Sequence, residues 1–221
     1  TVQLLDEVIK TPKRSVIPRS KKQKEYVRSL RTNKIVISLG PAGTGKTYLA
    51  VAVALTMLLE KKVERIILSR PAVEAGEKLG FLPGDMKDKI DPYLRPLYDS
   101  LYDLLDYDKI QRKIESGSIE IAPLAFMRGR TLKNSFAILD EAQNATFEQI
   151  KMFLTRIGQG SKAVINGDIS QTDLPEDCSG GLITCVEKLA DIEGVSICNL
   201  GDEDIVRNTI IGEILTQLKG S

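Results

Sequence analysis

Histidine is absent from the 221-residue sequence. Without it, the chain can form neither a Ser-His-Asp nor a Cys-His catalytic site, and imidazole cannot serve as a metal ligand. Catalysis must therefore depend on carboxylates, lysines and arginines.

Cysteine is scarce, and long apolar runs are missing. Cys178, Cys185 and Cys198 are odd in number, include no C-x-x-C pair and lie in apolar patterns, which favours buried free thiols over a disulfide or a zinc site. The longest apolar run, residues 48–59, is too short to span a membrane, and the N-terminus lacks the apolar segment of a signal peptide. We expect a cytoplasmic protein without a membrane partner.

The sequence also has no large excess of charge of either sign. Its 31 Lys and Arg residues and 30 Asp and Glu residues give a formal net charge of +1. Any nucleic-acid site must therefore be local. Residues 10–34 do hold ten basic residues and a single acid, Glu25. We predict a basic arm over residues 1–19 that leads into a helix over 20–31, and we assign residues 20–221 to one catalytic domain.

Short β-branched runs alternate along the chain with longer stretches of helical periodicity. This alternation predicts an α/β fold in which a parallel sheet is flanked by helices on both faces. The predicted strands are 35–39, 66–70, 119–122, 136–140, 163–166 and 195–200. The predicted core stripes of helices are Ile150, Phe153, Leu154 and Ile157; Leu182, Cys185, Val186 and Leu189; and Ile211, Ile214, Leu215 and Leu218. Residues 80–107, which contain three prolines, resemble an insertion wrapped over one end of the sheet.

One segment matches the phosphate-binding loop G-x-x-x-x-G-K-[ST], between predicted strand 35–39 and a predicted helix over 47–60. Glycines let successive backbone N–H groups surround the β-phosphate, and the helix N-terminus adds its positive dipole end. Lys46 would supply charge to the β- and γ-phosphates, and the Thr47 hydroxyl would be a ligand of Mg²⁺. A glycine-rich turn with a chance lysine is the alternative. The predicted nucleotide-binding residues of this segment are Gly40, Pro41, Ala42, Gly43, Thr44, Gly45, Lys46, Thr47 and Tyr48.

Paired acids end predicted strand 136–140. Asp140 is placed to hold Mg²⁺ through water, and Glu141 to orient or deprotonate the attacking water, although two acids can also begin a helix. Two predicted strands separate this strand from the phosphate-loop strand, which indicates that an extra strand lies between them in the sheet. Gln171, in a G-D-x-x-Q turn after strand 163–166, is a candidate sensor of the γ-phosphate, and an ordinary turn fits the same pattern.

Longer blocks surround these motifs: GPAGTGKTYLA, SRPAVEAGEKLGFLPGDM, DPYLRPLYD, APLAFMRGRTL, LDEAQNAT, KMFLTRIG and GDISQTDLP. Together they resemble the PhoH-like proteins, the phosphate-starvation-inducible ATPase group of bacteria, over residues 10–215. The resemblance implies a single RecA-like P-loop domain related to the superfamily-one helicase core, hydrolysis of ATP with Mg²⁺, and a connection to RNA metabolism beside an endoribonuclease. The chain departs from the family at Asn208, where a histidine is expected, and in the loop PEDCSGGL, so substrate contacts in this part are the least specified.

The resemblance also carries roles to single residues. Gln23 in KKQKEY resembles the glutamine that reads adenine in helicase relatives, with Tyr26 near enough to pack on the base; a solvated glutamine on a basic helix is the alternative. Arg70, Arg156 and Arg207 lie in family blocks and are candidates to contact phosphates or the transition state, unless they are surface arginines paired with acids.

These patterns favour an ATPase that works on RNA as a helicase-like enzyme, with phosphate contacts from residues 10–34 and 126–130 and stacking on Phe126. A solvated basic face is the alternative for both segments. A rival function is a regulatory module that uses ATP to recruit a protein partner such as an endoribonuclease. Because superfamily-one helicases complete their ATP site with arginines of a second RecA-like domain, we expect a homo-oligomer, a hexameric ring, in which Arg156 or Arg207 reaches the next subunit's nucleotide. Both arginines could instead act within their own subunit.

Overall fold

The computed structural model of the chain describes residues 7–72, 86–205 and 209–219. Its strands are β1 (Ile9–Lys10), β2 (Ser15–Val16), β3 (Ile35–Leu39), β4 (Arg65–Arg70), β5 (Ile119–Pro123), β6 (Ser135–Leu139), β7 (Lys162–Gly167) and β8 (Val195–Asn199). Its helices are α1 (Lys21–Thr32), α2 (Lys46–Leu59), α3 (Met86–Leu104), α4 (Tyr107–Glu115), α5 (Phe147–Thr155), α6 (Gly181–Leu189) and α7 (Thr209–Lys219). Short 3₁₀ turns lie at Leu124–Met127, Ala142–Asn144 and Asp202–Asp204.

Strands β3 to β8 form a parallel sheet in the order β5-β4-β6-β7-β3-β8. Each strand presents alternate residues to opposite faces; Ile66 and Leu68 of β4 face helices α1 to α4, whereas Ile67 faces α5 and α6. The predicted α/β fold, a RecA-like sheet with helices on both faces, is confirmed. Because all six strands run the same way, the loops after them meet along one edge of the sheet.

The strand between β3 and β6 is β7. The predicted extra strand between the phosphate-loop strand and the acidic strand is therefore confirmed. This strand, β7, follows both β3 and β6 in the sequence. The two strands that separate β3 from β6 in the sequence, β4 and β5, lie on the other side of β6 in the sheet. This order places the loops after β3, β6 and β7 side by side.

Helix α3 runs through two prolines, Pro92 and Pro96. Four leucines at helical spacing, Leu94, Leu97, Leu101 and Leu104, are buried in the core cluster that includes β4 and β5. Burial of about 1.5–3 kcal/mol per leucine outweighs the cost of about 3 kcal/mol per interior proline. The predicted insertion over one end of the sheet is thus wrong for residues 86–104, which form a core helix on one face; residues 80–85 lie outside the described ranges.

Helix α7 leaves its apolar stripe exposed. Ile211 and Ile214 are each 46% exposed and Leu218 is 68% exposed, so the predicted core stripe is wrong for this helix. The stripes of α5 and α6 are confirmed, since Ile150 and Leu182 are among the buried residues of one core cluster. Helical periodicity shows that a helix has an apolar face, but not that this chain covers it.

The cysteines divide between surface and core. Cys185 is buried and Cys198 is half-buried, whereas Cys178 is exposed, so the prediction of buried thiols is wrong for Cys178. All three are free thiols. None of the helices within the described ranges is long and apolar enough to cross a membrane.

The described part of the arm packs against the rest of the chain. Strands β1 and β2 pair antiparallel, and Ile9 and Val16 are buried in the same core cluster as α2. The Lys13 ammonium donates a hydrogen bond to the carbonyl of Tyr102 at 2.8 Å, and Arg14 pairs with Asp103 at 2.9 Å. These contacts attach the arm to α3.

Candidate nucleotide site

The loop between β3 and α2 borders a cavity of about 290 Å³ at the carboxyl edge of the sheet. Gly43 and Gly45 have φ angles of +86° and +81°, a backbone conformation that favours glycine. The predicted site residues that line the cavity are Ala42, Gly43, Gly45, Lys46, Thr47, Tyr48, Arg70, Asp140, Glu141 and Gln171. Residues from loops far apart in sequence therefore meet here.

Lys46 is folded back onto its own loop. Its ammonium donates to the carbonyls of Gly40 at 2.7 Å and Pro41 at 3.0 Å. Burial lowers the pKa of Lys46, and the nearby carboxylates Asp140, Asp168 and Glu141 raise it in part. A phosphate in the cavity would offer this charge a stronger acceptor than the two carbonyls.

The oxygens of Thr47 and Asp140 meet beside the loop. The Thr47 hydroxyl donates to Oδ1 of Asp140 at 2.5 Å, and the aspartate is 3% exposed. Hydroxyl and carboxylate oxygens next to a phosphate site are the donors that Mg²⁺ takes in proteins. The two residues thus fit the metal that the sequence predicted.

Glu141 has a left-handed backbone, with φ 56° and ψ 40°, which is uncommon for a residue with a side chain. Its carboxylate accepts a hydrogen bond from the amide of Gln143 at 2.7 Å. The carbonyl oxygen of that amide accepts one from the Asp168 backbone N–H at 3.1 Å. Gln143 thus connects the acidic loop to the loop after β7 and holds Glu141 at the cavity.

Gln143 is a site residue that the sequence analysis missed. The available signal was its position three residues after Asp140, where a 3₁₀ turn brings the side chain back toward the strand end. Gln171, by contrast, lines the cavity as predicted. Its backbone N–H donates to the Asp168 carbonyl at 3.2 Å and so closes the turn after β7.

Tyr48 lies at the rim of the cavity, and its hydroxyl donates to Oδ2 of Asp103 on α3. Burial, followed by the neighbouring Asp103, raises the pKa of Tyr48 to about 12. The tyrosine therefore stays neutral and connects α2 with α3.

Arg70 ends β4 and lines the cavity opposite the loop. Its guanidinium approaches Oδ2 of Asp140 through Nε at 2.7 Å and Nη2 at 2.6 Å. It also donates to the Tyr93 carbonyl of α3 at 3.0 Å. Of the three candidate arginines, Arg70 is the one that the described structure brings into the site.

Gln23 is buried and lies against the phosphate loop. Its Oε1 accepts from the backbone N–H groups of Arg19 and Ser20 in a capping box at the start of α1. Its Nε2 donates to the carbonyls of Thr44 at 2.9 Å and Asp204 at 3.2 Å. The alternative of a solvated glutamine is therefore wrong. All four hydrogen bonds of the Gln23 amide are made to groups of the protein. Recognition of adenine by Gln23 stays a prediction, and it requires the amide to exchange some of these bonds for bonds to the base.

Tyr26 lies in the core below the loop and is 0% exposed. Its hydroxyl donates to the Lys46 carbonyl at 2.7 Å. Packing of this ring on a nucleotide base is therefore a wrong prediction, because neither face of the ring is accessible. The side chain instead supports the first turn of α2 from beneath.

Arg156 lies away from the cavity. It follows the last turn of α5, and its carbonyl accepts from the Leu132 N–H just before β6. The amino ends of the strands are at the edge of the sheet opposite the phosphate loop, so Arg156 is not placed to contact phosphates in its own subunit. Arg207, the other predicted arginine, lies outside the described residues.

The two predicted basic segments are partly paired within the chain. Arg130 binds both oxygens of Glu120 at 2.6 and 2.7 Å, and Met127 is buried. Phe126, 54% exposed, and Arg128 remain at the surface of segment 126–130. Three cations of the arm and α1 form ion pairs. Arg14 pairs with Asp103, Lys22 with Glu203 and Arg28 with Glu7.

The chain is similar to known proteins over most of its length. A family model described as PhoH-like protein matches residues 15–219. A PhoH-like protein of Mycobacterium tuberculosis (strain ATCC 25618 / H37Rv) is 55% identical over 202 residues, which are 91% of this chain and 57% of that protein. A PhoH-like protein of Bacillus subtilis (strain 168) is 53% identical over 211 residues, 95% of this chain and 66% of that protein. The chain thus spans less than two thirds of either relative.

Solved structures that are similar in fold include a viral terminase. The large terminase from the thermophilic bacteriophage D6E has a TM-score of 0.50 and 12% sequence identity, over 90% of this chain and 50% of the terminase. At this identity the likeness concerns the fold alone.

Proposed function

The chain belongs to the PhoH-like protein family, and we propose that it is a Mg²⁺-dependent ATPase. The observation that carries the proposal is the convergence of Lys46, Thr47, Asp140 and Glu141 on one cavity at the carboxyl edge of the sheet. These residues supply a phosphate-binding cation, two oxygen donors for a metal and a carboxylate base. The family match supports the same chemistry.

Each group has a distinct role in the proposed hydrolysis. Lys46 leaves the carbonyls of its loop for the β- and γ-phosphates, where its charge also stabilises the transition state. Thr47 and Asp140 would hold Mg²⁺, which when bound neutralises charge on the phosphates and orients them. Glu141, fixed by Gln143, accepts a proton from the attacking water.

We further propose that ATP turnover is coupled to RNA in the cytoplasm, as in a helicase-like enzyme. The supporting observation is that Phe126 and Arg128 are exposed just after β5, at the same edge of the sheet as the phosphate loop. An aromatic ring beside a cation suits single-stranded nucleic acid, which binds by stacking and phosphate contacts. The arm and α1 add exposed cations at Arg19 and Lys21.

The test is ATP turnover with and without single-stranded RNA at two salt concentrations. RNA should stimulate the wild type, and the stimulation should weaken as salt rises, because each phosphate contact adds about 0.7 to the slope of log affinity against log salt. The Phe126→Ala, Arg128→Ala double variant should lose the stimulation while keeping basal turnover. Arg112→Ala, which removes an exposed arginine of α4, serves as the charge-matched control. Turnover without any RNA response, together with ATP-dependent capture of an endoribonuclease, would instead favour the regulatory module.

We also propose that the active form is a homo-oligomer, a hexameric ring, in which a neighbour supplies an arginine to each site. The position of Arg156 at the opposite edge of the sheet supports action in the next subunit rather than in its own. Such an arginine accelerates phosphoryl transfer by roughly 10³–10⁵ in kcat. Mixing inactive Lys46→Ala subunits with an Arg156→Ala, Arg207→Ala double variant should restore turnover. A mixture that stays inactive contradicts the shared site.

A further inference from the structure

We propose that Arg70 and Mg²⁺ compete for Asp140, so that the guanidinium holds this carboxylate whenever the metal does not. Both oxygens of Asp140 are engaged by protein: Oδ1 accepts from Thr47 at 2.5 Å, and Oδ2 lies 2.6 and 2.7 Å from two nitrogens of Arg70. Thr47 and Asp140 are also the residues that would hold the metal. The inference rests on the proposed Mg²⁺-dependent function of this site.

Burial makes the competition strong. The side chains of Arg70 and Asp140 are 19% and 4% exposed, so water screens their charges poorly. A divalent cation at the carboxylate and a guanidinium 2.6 Å from the same oxygen would repel each other at close range. This repulsion favours release of Oδ2 by Arg70 when Mg²⁺ binds, whether Asp140 holds the metal directly or through water.

A second cavity can accommodate the side chain of Arg70 after it releases Asp140. Arg70 lies between the nucleotide cavity and this second cavity of about 250 Å³, which is also lined by Tyr93, Glu141 and Asp173. Asp173 is among the residues that line this second cavity, and the bond to the Tyr93 carbonyl keeps the guanidinium nearby. Arg70 can thus release Asp140 and move toward Asp173 in the second cavity.

The exchange gives Arg70 the role of a positioning residue. It keeps a buried carboxylate paired and correctly oriented between catalytic cycles, at the expense of metal affinity. An unpaired buried carboxylate is costly, which explains why a cation of the chain occupies this position.

The test compares Arg70→Gln with the wild type in two measurements that need no turnover. In the first, ADP binding is followed by calorimetry as MgCl₂ is raised. The Mg²⁺ concentration at half-maximal binding should fall by roughly tenfold in the variant, because a positive charge in direct contact with the ligand carboxylate is removed.

The second measurement is the melting temperature in EDTA and in saturating Mg²⁺ with ADP. The variant should be less stable than the wild type in EDTA, where it lacks the Asp140 pair, and the difference should largely vanish with Mg²⁺ and ADP. Arg130→Gln is the matched control, because Arg130 forms a similar two-nitrogen contact with Glu120 away from the cavity. Its loss of stability should be the same in both conditions.

A half-maximal Mg²⁺ concentration that is unchanged or higher in Arg70→Gln overturns the inference, and a higher value would mean that Arg70 prepares Asp140 for the metal. If Arg70→Gln does not fold, Arg70→Lys keeps the charge with fewer contacts and should show a smaller fall in the same direction. A wild type that binds no ADP with Mg²⁺ would instead contradict the proposed function itself. The two failures are therefore distinguishable.

Discussion

Replacement of Gln23 by alanine should destabilise the chain far more than loss of an ordinary capping glutamine. The substitution removes the acceptor for the start of α1, which costs about 1 kcal/mol. It also leaves the carbonyls of Thr44 and Asp204 without this donor, and each buried unpaired group costs about 1–3 kcal/mol. We expect a loss of about 3–7 kcal/mol in the free energy of unfolding.

The chain contains its own control. Gln149 forms the same capping box with Thr146 at the start of α5, but it is exposed and touches no phosphate loop. Gln149→Ala should therefore cost only about 1 kcal/mol. Urea denaturation of both variants measures the difference, about 2–6 kcal/mol, which should correspond to a melting temperature roughly 4–24 °C lower for Gln23→Ala than for Gln149→Ala at this chain length.

Equal losses in the two variants would contradict a supporting role of Gln23, since its bonds to Thr44 and Asp204 would then contribute nothing. The affinities of Gln23→Ala for ATP and GTP distinguish two roles of the glutamine, support of the phosphate loop and recognition of adenine. If Gln23 positions the phosphate loop, its alanine variant should bind ATP and GTP with a similar loss of affinity. A loss confined to ATP would show that the amide exchanges its partners and reads the base.

Four further substitutions probe the site and its scaffold. Lys46→Ala should abolish nucleotide binding or turnover, and near-normal turnover would contradict the phosphate-loop assignment. Glu141→Gln should keep the affinity for Mg²⁺ and ATP but lose hydrolysis, because an amide cannot accept the proton; a kcat within a few-fold of wild type would assign the water to another residue. Gly181→Ala should destabilise the chain by about 1–3 kcal/mol in urea denaturation, because its Cβ would lie 2.4 Å from the Phe147 nitrogen. Gly180→Ala, with no atom within 4 Å but φ +84°, should cost about 1–2 kcal/mol through backbone strain alone, and a larger loss there than at Gly181 would contradict the packing argument.

The sequence predicted the sheet and the phosphate loop because their signals are local. A β-branched run, a glycine-rich turn and a helix follow each other within 25 residues of β3 and α2, and the paired acids end another apolar run. The pairing of Arg70 with Asp140 could not be predicted in this way. It depends on β4 lying beside β6, which is a property of the topology and not of either segment.

The same distinction explains the errors. The fourfold bonding of Gln23 requires Asp204 to return to the phosphate loop from 181 residues away. Tyr26 stands three residues after Gln23, and only the tertiary fold shows that its ring points into the core. For α7, the apolar period predicts a helix with an apolar face, but whether that face is buried depends on tertiary packing, which periodicity does not specify.

The position of β3 inside the sheet sets an order of events during synthesis. Ile35 pairs with Ala163 on one side and with Val195 on the other, so its partners leave the ribosome 128 and 160 residues after it. At about 5–20 residues per second, translation of the first interval takes roughly 6–26 s. Throughout that time both edges of an apolar strand lack their partners, a condition that slows folding and favours aggregation. A nascent chain halted before β7 should therefore bind chaperones and fail to retain ATP, even though its phosphate loop is already complete in sequence.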